Sequence, residues 1–484
     1  MPGSWFTTIC PRFGGLDRHT PCLEGRRSST SKPLSPSHTP TRKLTSNKHS
    51  PIYSLNDDVL LNIFYLYRLD IRDEEQAPGI IIARRWEHQR WWYKLAQVSR
   101  RWRRLILASP CLLDLQLLCT YGVPVADMLA HSPPLPLTIF YDNRFRAMTA
   151  EDEEGARLAI THRDRVRRIA LSIPTSNLHI LQKLIRTMDE QFPILEHLFI
   201  SSQREDENLM FPRNFQAPNL CHIDLWLVGF SIRSPILSST GGLALLETLH
   251  ISFYSPLPNH DVVDTTTMTH VILPKLRVLS FQGTSSYLEG LISRISTPSL
   301  GVLTVIFSNQ LTHPIPRLLQ FIQATENLVF HTFEVAFDWG SVHLMSIRHQ
   351  EQQQHPLRFR FECIPFGSQI ESAAQILHTL SPVLSGVEKL TLSGSRCVDR
   401  TQWRELLRPF SGVKTLDVEY ELAWGLSRSL CSENEEMALE ILPHLEELGY
   451  PGGDINDRDI FIPFRDERQA AGHPVRLASR FQWF

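Results

Sequence analysis

Three short polar patterns contain residue types that could carry catalysis or bind a metal. Ser411 and Lys414 have the Ser-x-x-Lys spacing of a nucleophile and its base. The segment GGDINDRD, residues 452–459, gathers carboxylate and amide side chains of the kind that bind calcium. His349 and His355 flank the polar run QEQQQ and are a candidate metal pair.

The sequence context favours a structural interpretation of all three patterns. SGVK begins a predicted strand, where a turn needs Ser and Gly. GGDINDRD lacks the following Gly and the terminal Glu of a calcium loop, and the two histidines fit a polar loop. The common phosphate-binding, zinc-protease and serine-hydrolase motifs are also missing from the sequence. We therefore predict no catalytic residue, no metal, no cofactor and no enzymatic activity; an enzyme with an unrecognised site remains a distant alternative.

The stretch QVSRRWRRLILASP sets two arginine pairs around Trp102, a composition that suits a nucleic-acid patch. A basic nucleic-acid binder usually has a charge excess, but the net charge here is -2, from 49 basic and 51 acidic residues. On one helix running from about Glu87, Leu95, Val98, Trp102 and Leu105 follow at steps of three and four and share a face. The arginines then occupy the solvent side, so we predict a docking helix and no nucleic-acid partner.

The bulk composition is that of an ordinary globular protein with more than one structural unit. The chain has 484 residues, of which 42% are hydrophobic and 9% aromatic. Its eight cysteines form no Cys-x-x-Cys pair, which disfavours a zinc site and a disulfide framework. No apolar run reaches the roughly 18 residues of a membrane helix, and we recognise no secretory signal. We expect reduced thiols, no membrane association, and a cytoplasmic or nuclear location.

Two segments of the first hundred residues differ sharply in composition. Residues 1–50 are rich in Ser, Thr, Pro and Arg and predict a disordered tail. SLNDDVLLNIFYLYRLD then predicts an amphipathic helix, because Val59, Leu60, Ile63 and Phe64 recur at helical spacing behind the acidic first turn. A Pro-Gly turn in the following segment indicates an insertion near residues 70–90.

The rest of the chain repeats the pattern apolar-x-x-apolar-x-apolar, often after Pro or Gly. Nine copies begin 24 to 32 residues apart, except for one gap of 87 residues that accommodates three units. Those copies begin at Val166, Leu195, Leu220, Leu246, Leu276, Leu300, Val387, Val413 and Leu445. The spacing is typical of leucine-rich repeats, in which each unit contributes a short strand and a return segment. We predict an irregular α/β solenoid with parallel strands over residues 116–484; a non-repeating α/β domain is the alternative.

Residues 51–115 resemble the F-box motif, a three-helix segment that binds the S-phase-kinase-associated adaptor of cullin-RING ubiquitin ligases. The similarity lies in LNDDVLLNIFYLY and in LAQVSRRWRRLILASPCLLDLQL. An F-box followed by leucine-rich-repeat-like units is also similar to the F-box proteins of mushroom-forming fungi, and LDLQLLCTYGVPVADMLAHSPPLPLTIFY strengthens that likeness.

The resemblance implies a substrate-recognition subunit of a cullin-RING ubiquitin ligase. Its partners would be the adaptor, the cullin and an unknown protein substrate held by the repeats. The residues expected to contact or support the adaptor are Leu55, Val59, Ile63, Leu95, Val98, Trp102 and Leu105. The motif has Pro where this chain has Asn56 and Cys where it has Ser99. These departures motivate a second hypothesis, an interaction scaffold of leucine-rich repeats without ligase activity.

Overall fold

The structure is a computed structural model of the chain. It describes residues 54–73, 91–109, 115–118, 125–131, 136–142, 148–203, 209–212, 214–229, 243–253, 270–308, 314–328, 331–338, 341–347, 355–362, 366–395, 398–431, 440–450 and 460–479. None of the helices within these ranges is both long and apolar enough to cross a membrane.

Helices and strands alternate along most of the described chain. The helices are α1 (Asp57–Asp73), α2 (Trp91–Val98), α3 (Arg100–Leu107), α4 (Val125–His131), α5 (Ala150–Thr161), α6 (Leu178–Thr187), α7 (Ser285–Ile292), α8 (Pro316–Gln323), α9 (Phe366–Thr379), α10 (Ser381–Leu384), α11 (Arg400–Leu407), α12 (Tyr420–Leu430) and α13 (Ile462–Ala470). The strands are β1 (Leu115–Leu118), β2 (Leu137–Asp142), β3 (Val166–Ile173), β4 (His197–Ser202), β5 (His222–Trp226), β6 (Thr248–Ser252), β7 (Val271–Ile272), β8 (Val278–Gly283), β9 (Ile295–Ser296), β10 (Val302–Ser308), β11 (Thr332–Phe337), β12 (Val342–Ile347), β13 (Leu357–Glu362), β14 (Lys389–Gly394), β15 (Thr415–Val418), β16 (Glu447–Tyr450) and β17 (Arg476–Ser479).

One long and mostly parallel sheet organises the fold. Fifteen strands lie in the order β1-β2-β3-β4-β5-β6-β8-β10-β13-β12-β11-β14-β15-β16-β17, while β7 and β9 form a separate pair. The predicted α/β class is therefore confirmed, and the long sheet is mostly parallel.

The leucines of the predicted repeat lie side by side across this sheet. Ile169 of β3 pairs with Leu198, and Leu198 pairs with Ile223. The same row continues through Leu249 and Leu279, and every member is at most 2% exposed. Burying one such side chain stabilises the fold by about 1.5–3 kcal/mol, so stacking successive units builds one continuous core.

The helices cover one face of the sheet and share its core. Their apolar side chains, for example Leu181 of α6 and Leu288 of α7, belong to the same buried cluster as the strand leucines. Parallel neighbours require crossover connections, whose right-handed preference places the helices on the same side. The sequence predicts helices between several strands, for example in SNLHILQKLIRTMDEQFP and SYLEGLISRIST, and the structure has α6 and α7 there. In α5, Thr149 caps the helix and Asp152 completes the capping box.

The prediction of parallel strands throughout is wrong at β12. This strand runs antiparallel to both β11 and β13, and β13 inserts next to β10. The physical reason is the length of the connections, because a parallel crossover needs roughly a dozen or more residues. The chain turns between Phe337 and Val342, where the N–H of Asp338 donates to the carbonyl of Ser341 at 3.0 Å. A tight turn of this kind can join only antiparallel strands.

The first three helices have a small core of their own. Its described buried residues are Leu60 and Phe64 of α1, Ala96 of α2, and Trp102 and Ile106 of α3. None of these belongs to the large cluster beneath the sheet, whose first described member is Val125. We call α1, α2 and α3 the helical unit.

Candidate functional site

Two surfaces are candidates for function: the exposed side of the helical unit and the face of the sheet that the helices leave open. The seven residues predicted to contact or support the adaptor all lie within or beside the helical unit, and the structure sorts them into three groups. The exposed ones are Val59, Ile63 and Val98, at 41%, 40% and 53%. The half-buried ones are Leu55, Leu95 and Leu105. Trp102 is buried at 6% exposure.

The predicted single helix through Leu95, Val98, Trp102 and Leu105 is wrong, because the chain breaks into α2 and α3 at Ser99. The Ser99 hydroxyl accepts a hydrogen bond from the N–H of Trp102 at 3.1 Å and caps α3. These four side chains therefore do not share one helical face. Val98 ends α2 exposed, while Trp102 turns inward and meets the Phe64 ring edge-on at 4.9 Å.

The exposed apolar residues of α1 form a strip next to its buried face. Val59, Ile63 and Leu66 follow at steps of four and three, and Leu66 is 62% exposed. Together with Val98 they make up what we call the apolar helix surface. Arg101 reaches the start of α1, where its guanidinium donates to Asp57 at 2.5 Å.

The other candidate surface is the open face of the sheet, where alternate side chains of each strand point to solvent. It has two halves of different chemistry. The aromatic half, from β4 to β10, has on this face His197, Phe199, Ser201, His222, Asp224, Trp226, Thr248, His250, Val278, Ser280, Val302, Thr304 and Ile306, with Ser252, Gln282 and Ser308 buried at the strand ends. The charged half, from β13 to β17, includes Arg358, Arg360, Glu334, Lys389, Asp417, Glu447 and Arg476.

Rings on neighbouring strands stack in the aromatic half. His197 and His222 lie 4.4 Å apart between ring centres, and Trp226 and His250 lie 4.3 Å apart. Asp224 pairs in register with His250, and its Oδ1 atom is 4.0 Å from Nε2 of that imidazole. Neither of these two buried atoms has a hydrogen-bond partner.

Burial shifts the pKa values of Asp224 and His250 in opposite directions. It raises the pKa of Asp224 to about 7, an effect that the Trp226 indole partly offsets, and it lowers the pKa of His250 to about 4. Both shifts have the same cause, since a group removed from water disfavours its charged form. The pair is therefore mostly uncharged between about pH 4 and pH 7.

We expect the two groups to oppose each other in the pH dependence of stability. The raised pKa of Asp224 means that unfolding releases a proton, so its contribution to stability falls as pH rises from about 4 to about 7. The lowered pKa of His250 makes the unfolded state take up a proton, so its contribution falls as pH drops from about 6.5 to about 4. The free energy of unfolding of Asp224→Asn should thus decline toward pH 4 relative to wild type, and that of His250→Gln should decline toward pH 7. Urea titrations between pH 4 and pH 7.5 measure both, and parallel curves for the three proteins would contradict the assignment.

The charged half has a serine–histidine pair that is not arranged for catalysis. Nε2 of His343 lies 2.7 Å from the Ser341 hydroxyl and 3.1 Å from the Asp338 carboxylate, and Arg358 donates to Nδ1 at 3.2 Å. Since a guanidinium only donates, Nδ1 must be the unprotonated nitrogen, and Nε2 carries the proton. Burial holds the pKa of His343 at about 4, so the ring stays neutral. The Nε2–H of His343 therefore donates toward Ser341 and Asp338, and the ring cannot accept the serine proton.

The remaining polar patterns supply no assembled site in the described part of the chain. Ser411 lies in the turn before β15, and the Nδ1–H of His355 donates to the carbonyl of Ser346 at 3.1 Å. The segment 452–459 and His349 lie outside the described residues. Within the ranges that the structure describes, no group of three or more His, Cys, Asp or Glu side chains is placed to hold a metal ion.

The similarity of this chain to known proteins was found in solved structures, at low sequence identity. No family model matches the sequence, and no curated protein matches it. Among solved structures, the chain is similar to the leucine-rich repeat-containing protein LegL7 from Legionella pneumophila, with 12% identity and a TM-score of 0.24. The alignment covers 74% of this chain and 98% of that one.

Proposed function

We propose that the protein is the substrate-recognition subunit of a cullin-RING ubiquitin ligase. In this proposal the helical unit binds the S-phase-kinase-associated adaptor, which links it to the cullin, and the open face of the sheet holds a protein substrate. The observation that carries the proposal is the exposure of Val59, Ile63 and Val98, three of the F-box-like positions, on a unit with its own core.

The physical case is that apolar side chains this exposed gain free energy from a partner. Fully burying a Val or Ile side chain is worth about 1.5–3 kcal/mol. An amphipathic helix that lays its apolar strip into a groove is a recurring mode of recognition. The arginines fit the same picture, because Arg100, Arg103 and Arg104 are exposed and Arg101 pairs with Asp57. They keep the exposed side of α3 charged, whereas the strip on α1 is apolar and is the side that we propose for docking.

Charge placed on the apolar helix surface is expected to weaken adaptor binding strongly. In Val59→Asp and Val98→Asp full-length proteins, the affinity for the purified adaptor should fall at least about 30-fold, the loss typical of an interface hot spot. Isothermal titration of wild type and variants measures this loss. Tyr65→Asp is the matched control, since Tyr65 is 49% exposed on the same helix but lies off the strip.

Two results would contradict the ligase proposal. One is wild-type protein that does not bind the adaptor at micromolar concentration, and the other is Val59→Asp and Val98→Asp proteins that bind as wild type does. The first result favours the second candidate, an interaction scaffold that uses only its sheet. The departures at Asn56 and Ser99 motivate that candidate, although Ser99 has a local role as the cap of α3.

A further inference from the structure

The aromatic half of the open sheet face contains one charged residue that stands alone. Among the residues named on this half of the open face, Asp224 is the single acidic residue, and none is Lys or Arg. Within the described residues, the nearest oppositely chargeable group is His250, at 4.0 Å. This acidic side chain balances no neighbouring charge, and its described side-chain partner is the neutral Trp226 indole, which hydrogen-bonds to it.

The surroundings of Asp224 do not supply a compensating charge. His222 lies on the same strand, His197 stacks on His222 from β4, and His250 faces Asp224 from β6. Burial lowers the pKa of His250 to about 4, which keeps this neighbour neutral at physiological pH. The raised pKa of Asp224 has burial as its largest cause, and the neutral Trp226 indole is the group that partly offsets it. The carboxylate therefore bears a desolvation cost that no cation in the described chain offsets.

One side of the Asp224 carboxyl group remains open to a ligand. Its Oδ1 atom is buried toward His250, yet the side chain as a whole is 37% exposed. The exposed area therefore belongs to the rest of the side chain, of which Oδ2 is the polar atom. Trp226 is two residues further on and points to the same face, where it is 38% exposed. The Trp226 indole hydrogen-bonds to the Asp224 side chain, which brings an aromatic ring next to an oxygen that still has capacity to accept from a ligand.

We propose that Asp224 and Trp226 form a subsite for a lysine or arginine side chain in an extended segment of the bound partner. The cation supplies the missing counter-charge to Oδ2, and the indole adds a cation–π contact and covers the aliphatic stem. This inference rests on the part of the proposed function that assigns protein binding to the sheet, and it does not depend on the adaptor.

A library of random dodecapeptides displayed on phage tests the subsite even though the natural partner is unidentified. Full-length wild-type protein and Asp224→Asn protein are selected in parallel at pH 8. We expect one position of the peptides selected on wild type to be enriched in Lys or Arg, and this enrichment to be missing from the Asp224→Asn selection. Asp417→Asn is the matched control: Asp417 lies in the same row of the sheet, but it is already paired with Lys389 at 2.8 Å.

A histidine-free peptide from the wild-type selection then gives the affinities. By fluorescence polarisation, Asp224→Asn should weaken its binding about tenfold, as should norleucine in place of its basic residue, and Trp226→Leu should weaken it severalfold. Exchanging Lys and Arg in the peptide shows which cation fits better. Because only the ionised carboxyl group binds a cation, affinity for wild type should rise about tenfold from pH 6 to pH 8 and lose this dependence in Asp224→Asn.

The outcomes separate this inference from the proposed function. Peptides that bind wild type with no basic position, or with equal affinity for wild type and Asp224→Asn, overturn the subsite while leaving the sheet as a protein-binding face. Failure to retain any peptide overturns the subsite and counts against protein binding by the sheet. Adaptor binding is measured with the helical-unit variants, so its loss or presence leaves these results unchanged.

Discussion

Replacing Trp102 with alanine is expected to unfold the helical unit while the sheet stays folded. The indole is 6% exposed and packs edge-on against Phe64 at 4.9 Å, in a core with only five described buried residues. Removing a buried tryptophan costs about 3–5 kcal/mol, which is comparable to what so small a core can supply. Hydrogen exchange measured by mass spectrometry should show loss of protection in α1 and α3 and unchanged protection in β3 to β10.

Val98→Ala is the control for this experiment. Val98 is 53% exposed, so its truncation should change the stability of the unit by less than about 0.5 kcal/mol. Retained protection of α1 in the Trp102→Ala protein would show that the indole is not part of the core. The expected result also changes how Trp102 is used as a probe. A Trp102 variant that fails to bind the adaptor reports on folding, whereas Val59 and Val98 variants report on the surface.

Replacing Gly394 with alanine is expected to destabilise the sheet by about 3 kcal/mol or more. Gly394 has a φ of +110°, and a Cβ atom there would collide with the backbone carbonyl oxygen of Phe337 on the neighbouring strand. Strained backbone and overpacking each cost about 1–3 kcal/mol. Gly394 lies in β14, which pairs in parallel with β11 on the far side of the antiparallel β12. The N–H of Gly394 also donates to Glu419 at 2.6 Å.

Gly472→Ala separates backbone strain from collision. Gly472 also has a positive φ, +81°, but among the described residues, its two chain neighbours aside, no heavy atom lies within 4 Å of the position that an alanine methyl group would occupy. Its replacement should cost only about 1–2 kcal/mol, the penalty of a left-handed conformation alone. Urea unfolding of the two variants measures both costs. Equal losses would mean that the approach of Phe337 to β14 has no energetic consequence.

Much of the sheet could be predicted because its signal is local and repeated. Leu198, Ile223 and Leu249 occupy equivalent places in their repeats, and the structure pairs them in adjacent strands. A strand that buries one face must place its apolar residues two apart, so the pattern itself states which side chains enter the core. The same logic predicted Leu60 and Phe64 as part of an amphipathic helix, and both are buried.

The antiparallel β12 could not be predicted from the pattern. Its leucine and valine positions alternate like those of any strand, and alternation carries no information about direction. The connection lengths around Phe337 and Val342 decide the direction, and they become visible only when the strand ends are known. The helix break at Ser99 could not be predicted for a related reason. A serine within an amphipathic pattern is compatible both with a helix interior and with a helix cap.

The candidate sites were less predictable than the fold. The amphipathic pattern places Val98 and Trp102 on one face, yet the first is exposed and the second buried. Asp224 and His250 are 26 residues apart in the sequence, and nothing local joins them. Their meeting depends on the register of β5 against β6.

The sequence by itself determined the α/β class, the strand leucines, the helices between strands and the apolar character of the helical unit. The reason is that local periodicity shows which side chains are buried. The tertiary structure alone decided which apolar residues remain at the surface, which strand runs antiparallel, and which polar groups are buried next to each other. These properties depend on contacts between residues far apart in the chain, and such contacts follow from strand register, helix breaks and connection lengths. For this protein, Trp102 becomes a core residue and Asp224 a candidate binding residue only once those contacts are in place.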